Sequence, residues 1–238
     1  MTAAEMIDRR RSVRSYTEEP LTAAERAEID ALLAACAPLS AELPLRYELL
    51  SRAEARCTLP MPWLPPDVLA TYAPSEVLPL VNVGFVFGKL DLALQAKGLG
   101  ACWLGLGKPR TQKEKDGLPF AIMLVVGHPK NAPERADARE FRRRPLAEIA
   151  DIPDGRLEAA RLAASAMNGQ PWYFTHEGEV IHVFCSTRRS RLLRDMNRID
   201  IGIALAQLAT AHPAAFRFFT ATPSATPHGH EYIGSVIL

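Results

Sequence analysis

The chain has 238 residues, 48% of them hydrophobic, with 28 Lys and Arg against 27 Asp and Glu and a net charge of +1. This length suits one large domain or two small ones with a proper buried core. The balanced charge argues against a nucleic-acid protein, whose basic residues dominate. No apolar run of about 18 residues is read, so no membrane span is expected.

The elements follow in chain order. Residues 3–11 read as a short amphipathic helix ending in an arginine cluster. Thr22 with Glu25 three residues later forms a capping box, opening a helix that runs to about Cys36 with Ile29, Leu32 and Leu33 on one face. Pro38 stops it. Residues 43–51 alternate weakly and predict a strand. A proline-rich loop holding Trp63 comes next, then a strand over 68–73.

From about Ser75 to Lys97 lies the most apolar helical segment. Val83, Val86, Phe87, Leu90 and Leu94 follow helical spacing, which predicts a buried central helix. Gly98-Leu-Gly100 ends it. Extended segments follow at 101–104 and 119–127, the second a buried strand. Residues 128–156 are polar and proline-punctuated and read as a connection. A helix over 157–165, a turn, and a strand over 179–186 come next. A second apolar helix spans 199–211, and strands are expected at 216–220 and 231–238.

Two stretches carry chemistry. Arg9, Arg10, Arg11, Ser12 and Arg14 put four guanidinium groups within six residues. Arginine presents a rigid fork that matches a phosphate bidentately, although a solvated basic face would look the same. Ser165-Ala-Met-Asn-Gly-Gln-Pro-Trp172 gathers neutral amides, which donate and accept, where a helix stops. That suits a planar heterocycle edged with carbonyls and ring nitrogens, and it also suits an ordinary turn. The cysteines, Cys36, Cys57, Cys102 and Cys185, show neither a CxxC nor a metal-like spacing. They read as reduced thiols, and with no apolar signal segment at the N-terminus a cytoplasmic location is expected. His228 and His230 lack further ligands, so no metal is expected.

Four segments together resemble the FMN-binding motifs of the nitroreductase family, over nearly the whole chain. They are Arg10-Arg-Ser-Val-Arg-Ser-Tyr16, Gly98-Leu-Gly-Ala-Cys-Trp-Leu-Gly105, Arg142-Arg-Arg-Pro-Leu-Ala-Glu-Ile149 and Ser165-Ala-Met-Asn-Gly-Gln-Pro-Trp172. The resemblance implies an α+β fold, a three-layer α/β/α arrangement with a central, mostly antiparallel sheet. It implies FMN as cofactor and NAD(P)H as a transient hydride donor, with a nitroaromatic, quinone or similar conjugated acceptor. It places Arg10, Arg11, Ser12 and Arg14 around the phosphate, with Arg142 or Arg143. Ser165, Ala166, Met167, Asn168 and Gln170 would follow the ring and ribityl edges. Backbone N–H groups near Leu104 and Gly105 would approach the reactive edge of the ring. Trp103 is either a wall beside the ring or a core aromatic. No catalytic side chain is required, because the flavin carries the chemistry. A non-catalytic or degenerate flavin-binding protein is the competing reading.

An internal echo bears on organisation. Ala31-Leu-Leu-Ala-Ala-Cys-Ala37 lines up with Ala160-Arg-Leu-Ala-Ala-Ser-Ala166. Two degenerate halves, 1–140 and 141–238, are therefore expected, related by a pseudo-twofold and mimicking a dimer within one chain. Further dimerisation is left open. The partner is a small-molecule substrate, neither nucleic acid nor membrane. The first-half turn, Pro38-Leu-Ser-Ala-Glu-Leu-Pro44, lacks the Asn and Gln, so one flavin site and one vestigial site are expected. Arg10→Glu should weaken FMN binding and leave the fold intact; Asn168→Ala should weaken binding or alter flavin redox behaviour.

Overall fold

The computed structural model describes residues 1–58, 64–132 and 134–238. Trp63 and residues 59–62 of its proline-rich loop lie outside the described residues. Residues 3–9 form turns rather than the expected helix. Thr2 and Glu5 start them with reciprocal bonds of 2.7 and 3.2 Å. They stop where Arg10 enters an antiparallel bridge with Glu134.

Helix α1 (Ala23–Ala35) opens on the expected capping box. The Glu25 N–H donates to the Thr22 hydroxyl at 3.2 Å, and the Thr22 N–H donates to the Glu25 carboxylate at 2.8 Å. Strands β1 (Arg46–Ser51), β2 (Ala55–Cys57) and β3 (Asp67–Tyr72) follow. Helix α2 (Val77–Ala96) is apolar on nearly every face, and Val83, Val86, Phe87, Leu90 and Leu94 are all buried. By length and composition it is apolar enough to cross a membrane, which corrects the expectation of no such run; 78% of its most apolar window is buried inside the protein. It ends as predicted. Gly98 takes φ +85°, and the Leu99 N–H donates to the Leu94 carbonyl at 3.0 Å, the glycine-dependent cap that satisfies a terminal carbonyl.

Strands β4 (Gly100–Leu104), β5 (Gly107–Pro109), β6 (Glu114–Lys115) and β7 (Leu118–Gly127) come next. The connection holds a short turn of 3-10 helix at Ala138–Glu140 and the short helix α3 (Leu146–Ile149). Helix α4 (Glu158–Leu162) is shorter than predicted, because the chain turns extended at Ala163. Strands β8 (Trp172–Glu177) and β9 (Val180–Ser186) form a hairpin. Helix α5 (Arg191–Ala211) starts two turns earlier than the apolar pattern indicates. Its first turns carry Leu192, Leu193 and Met196 among charged residues, and Asp195 ties to Arg191 at 3.7 Å and to Arg198 at 3.6 Å, spacings that support a helix. Strands β10 (Arg217–Phe219) and β11 (His230–Ile237) close the chain.

The strands form two principal antiparallel sheets. The first has the order β1-β3-β7-β4, the second β8-β9-β11-β10. In each, two strands precede a long helix, two follow it, and the third strand is left at an edge. Helices α2 and α5 pack on one another. Their contact is reciprocal. A Cβ on Gly84 would collide with the Ile199 carbonyl, and a Cβ on Gly202 with the Val81 carbonyl, each three residues before the opposing glycine. Backbones this close are possible only without side chains at both positions.

Candidate active site

The arginine segment is pinned to the first sheet. The Val13 N–H donates to the Ala101 carbonyl at 3.0 Å. Gly100 permits this approach, since a Cβ there would meet Val13 and Tyr16 at 2.9 Å. Arg10 points inward and is 2% exposed, beside a 1% exposed Asp91 on α2, with Nε 3.2 Å from the carboxylate. Gln95, one turn further along, donates to Asp91 at 2.6 Å and accepts the Arg11 N–H at 3.1 Å. The Arg10 guanidinium also donates to the Ser12 hydroxyl at 3.3 Å. A buried ion pair needs such extra bonds to offset desolvation. Here they fix the direction of the whole segment.

The 163–170 loop meets it from the other half. Its backbone is unusual: Met167, Asn168 and Gln170 all have positive φ, 52°, 56° and 49°. Such conformations cost side-chain-bearing residues energy and persist where surroundings enforce them. The enforcing contacts are visible. Arg143 donates to the carbonyls of Leu162 and Ala163 at 3.3 and 3.0 Å and to the Asn168 amide oxygen at 2.6 Å. Asn168 returns a bond to the Arg142 carbonyl at 2.8 Å. Gln170 accepts the Arg144 N–H at 2.8 Å, and its own N–H donates to the Ser165 hydroxyl at 3.0 Å. The Ala166 N–H is shared between both oxygens of Asp200 on α5, at 3.1 and 3.0 Å.

These two segments enclose a cavity of about 580 Å³, lined by Arg10, Arg11, Ser12, Arg14, Arg135, Glu140, Arg142, Arg143, Ala164, Ser165, Met167 and Asn168. Six arginines face one acid. The crowding registers in the ionisation of its members. Burial and then the neighbouring Arg10, Arg135 and Arg161 push Arg143 down to about 10. Burial followed by Arg10 and Arg11 lowers Arg135.

The cavity continues into a slot of about 100 Å³ walled by Ser12, Arg14, Trp103, Gly105, Ile122, Ala164, Ser165, Ala166, Met167, Met196, Asp200 and Ile203. The indole N–H of Trp103 is buried and has no hydrogen-bond partner among the described residues. Beyond Gly105, Ile122 and Met196 lies a third cavity of about 420 Å³ with Leu106, Phe120 and Leu192 on its wall. Leu106 and Leu192 are among the few exposed large apolar side chains.

Of the fourteen site residues expected from the sequence, twelve line this cavity or slot. Leu104 is buried in the core beside it, and the Gln170 amide is turned back onto segment 142–144. Sequence reasoning missed Asp91, Gln95, Arg135, Met196 and Asp200. Polar residues in an otherwise apolar helix were the available signal for Asp91, Gln95 and Asp200, since buried polar groups are the informative exceptions. Arg135 gave no signal. In the first half the turn over 38–44 and Asn82 line a separate cavity of about 310 Å³ that carries no arginine cluster, only Arg46. Phe85, one residue after Gly84 as Ile203 is one after Gly202, stacks on Phe216 at 5.8 Å between centroids.

The fold, paired antiparallel sheets on crossed helices, is shared with nitroreductases of known structure. A crystal structure of a "putative nitroreductase" from Thermotoga maritima MSB8 is similar over 100% of this chain and 94% of its own, at 22% identity and TM-score 0.67. A nitroreductase family protein from Clostridium difficile 630 is similar over 63% of this chain and 96% of its own, at 17% identity and TM-score 0.52. The family model described as "Putative TM nitroreductase" matches residues 2–212, and the chain belongs to that nitroreductase family. No curated protein matches the sequence.

Proposed function

We propose that this protein is an FMN-dependent oxidoreductase that passes hydride from NAD(P)H to a nitroaromatic, quinone or similar conjugated acceptor. One observation carries the reading: six arginines line a cavity that continues into a narrower slot walled by Trp103, whose indole N–H is buried and has no partner among the described residues. The donor set fits a phosphate at one end and a ring edged with acceptors at the other. FMN, when bound, supplies the hydride chemistry.

The chain's own residues bind, orient and shield. Arg14, Arg142 and the solvent-facing donors of Arg11 would hold the phosphate. Arg10 and Arg143 would add field while anchoring the loops. Ser12, Ser165, Trp103 and the largely exposed Met167 line the slot. The third cavity shares Gly105, Ile122 and Met196 with the slot and adds Leu106, Phe120 and Leu192 beside Lys108 and Arg191, so donor and acceptor would take turns there. The chain would work as a pseudo-dimer with one site between its halves.

The test is the visible spectrum of purified protein after adding FMN and removing the excess. A retained oxidised-flavin band that bleaches anaerobically with NADH or NADPH supports the reading. A band that neither nicotinamide bleaches would leave a binding protein, and no retained band would remove the cofactor.

A further inference from the structure

The reciprocal crossing at Gly84 and Gly202 makes the two halves internal controls for one another. Two residues before each glycine stands a buried polar side chain, Asn82 on α2 and Asp200 on α5. Both do the same backbone task. The Asn82 amide oxygen accepts the Leu39 N–H at 2.9 Å, four residues past the end of α1. The Asp200 carboxyl accepts the Ala166 N–H, four residues past the end of α4. Holding the turn therefore requires only one acceptor, which a neutral amide provides. The half in which Phe85 stacks on Phe216 has the amide. The half whose long helix lines the slot has the acid.

A carboxylate buried to 4% exposure with one N–H for two oxygens is under-satisfied. No basic side chain among the described residues pairs with it. Resting on the flavin reading above, we propose that Asp200 is a positioning residue that sits in the slot as a neutral acid, one oxygen holding the 163–170 loop and the hydroxyl donating a hydrogen bond to an acceptor on the bound ring. Burial, opposed by the Ala166 N–H, raises the acid well above the usual carboxylate range, in keeping with this geometry. The charged and titratable groups around it are few. Arg14 faces it across the slot. On β9 the Cys185 thiol is held up by burial, then by Glu231 and Asp200. Arg198 on α5 is committed to Glu231 through two bonds of 2.9 Å.

Asp200→Asn is the decisive variant. Its amide oxygen can hold the loop as Asn82 does, and its N–H can donate into the slot at any pH. A group whose folded value is raised contributes stability that is full below its unfolded value and is lost as pH rises through the folded one. The apo-proteins should melt together below the unfolded value of an aspartate, at about pH 3.5, and by about pH 9 the variant should melt higher by about 4 °C or more. Kd for FMN, measured by fluorescence quenching, should rise with pH in the wild type relative to the variant, by about tenfold between about pH 6 and pH 9. Taking the ratio removes the titration of FMN itself. Parallel melting curves would overturn the neutral acid. A wild type that takes up FMN with a pH-independent ratio would overturn the role of Asp200 alone. A wild type that takes up none would overturn the flavin reading and this role together.

Discussion

Arg10 illustrates how a binding residue becomes a structural one. Its guanidinium lies beside the buried Asp91, so Arg10→Glu sets two acids together in the interior. The expectation that this variant keeps the fold is corrected: it should cost about 3 kcal/mol or more of stability, read as a lowered urea midpoint. Arg14 is exposed and lines both cavity and slot. Arg14→Glu should therefore keep the wild-type melting temperature and weaken FMN binding at least about tenfold, the scale of one charge-assisted bond. Unchanged flavin retention would remove Arg14 from the site. Asn168 acts through Arg143, to which it is bonded at 2.6 Å. Asn168→Ala and Arg143→Ala should each weaken binding and couple by about 1 kcal/mol in a double-mutant cycle. Strict additivity would show that they act independently.

At the scale of elements, the α2–α5 crossing decides where the halves stand. Val81, Gly84 and Gly88 on one helix oppose Ile199, Gly202 and Ala206 on the other. Gly202→Ala drives a methyl group into the Val81 carbonyl, which no side-chain rotation relieves. It should destabilise by about 3 kcal/mol, as overpacking between rigid backbones does, and it should loosen FMN because Asp200 rides on the same helix. Gly105→Ala is the milder counterpart. Its Cβ would meet only the Met196 methyl, at 2.5 Å, and a methionine end can move. That variant should fold normally and alter KM for the acceptor more than FMN affinity, in steady-state assays on the loaded protein.

At the scale of the molecule, the two sheets repeat one strand order around the crossed helices, and one site lies between them. A twofold pair of chains would form two such sites. In this chain the residue after Gly84 is Phe85, stacked on Phe216, where the residue after Gly202 is Ile203. The expected stoichiometry is one FMN per chain, with a monomer in sedimentation equilibrium. Two FMN per chain would show that the stacked half still binds.

The sequence alone determined what depends on near neighbours. The α1 capping box, the apolar period of α2, its glycine stop and most strands are legible because periodicity, caps and turns involve residues a few positions apart. The residue types at the site were legible for the same reason, as short clusters of arginines and amides. Tertiary structure decided which of those groups reach the cavity. Arg10 turns inward because Asp91, eighty-one positions away, offers it a buried partner. Gln170 turns from the slot because segment 142–144 needs an acceptor. The 163–170 loop is held in positive φ by Arg143 and Asp200, from two other parts of the chain. Buried polar groups must find partners wherever packing brings them, and that requirement is settled only once the two halves have met.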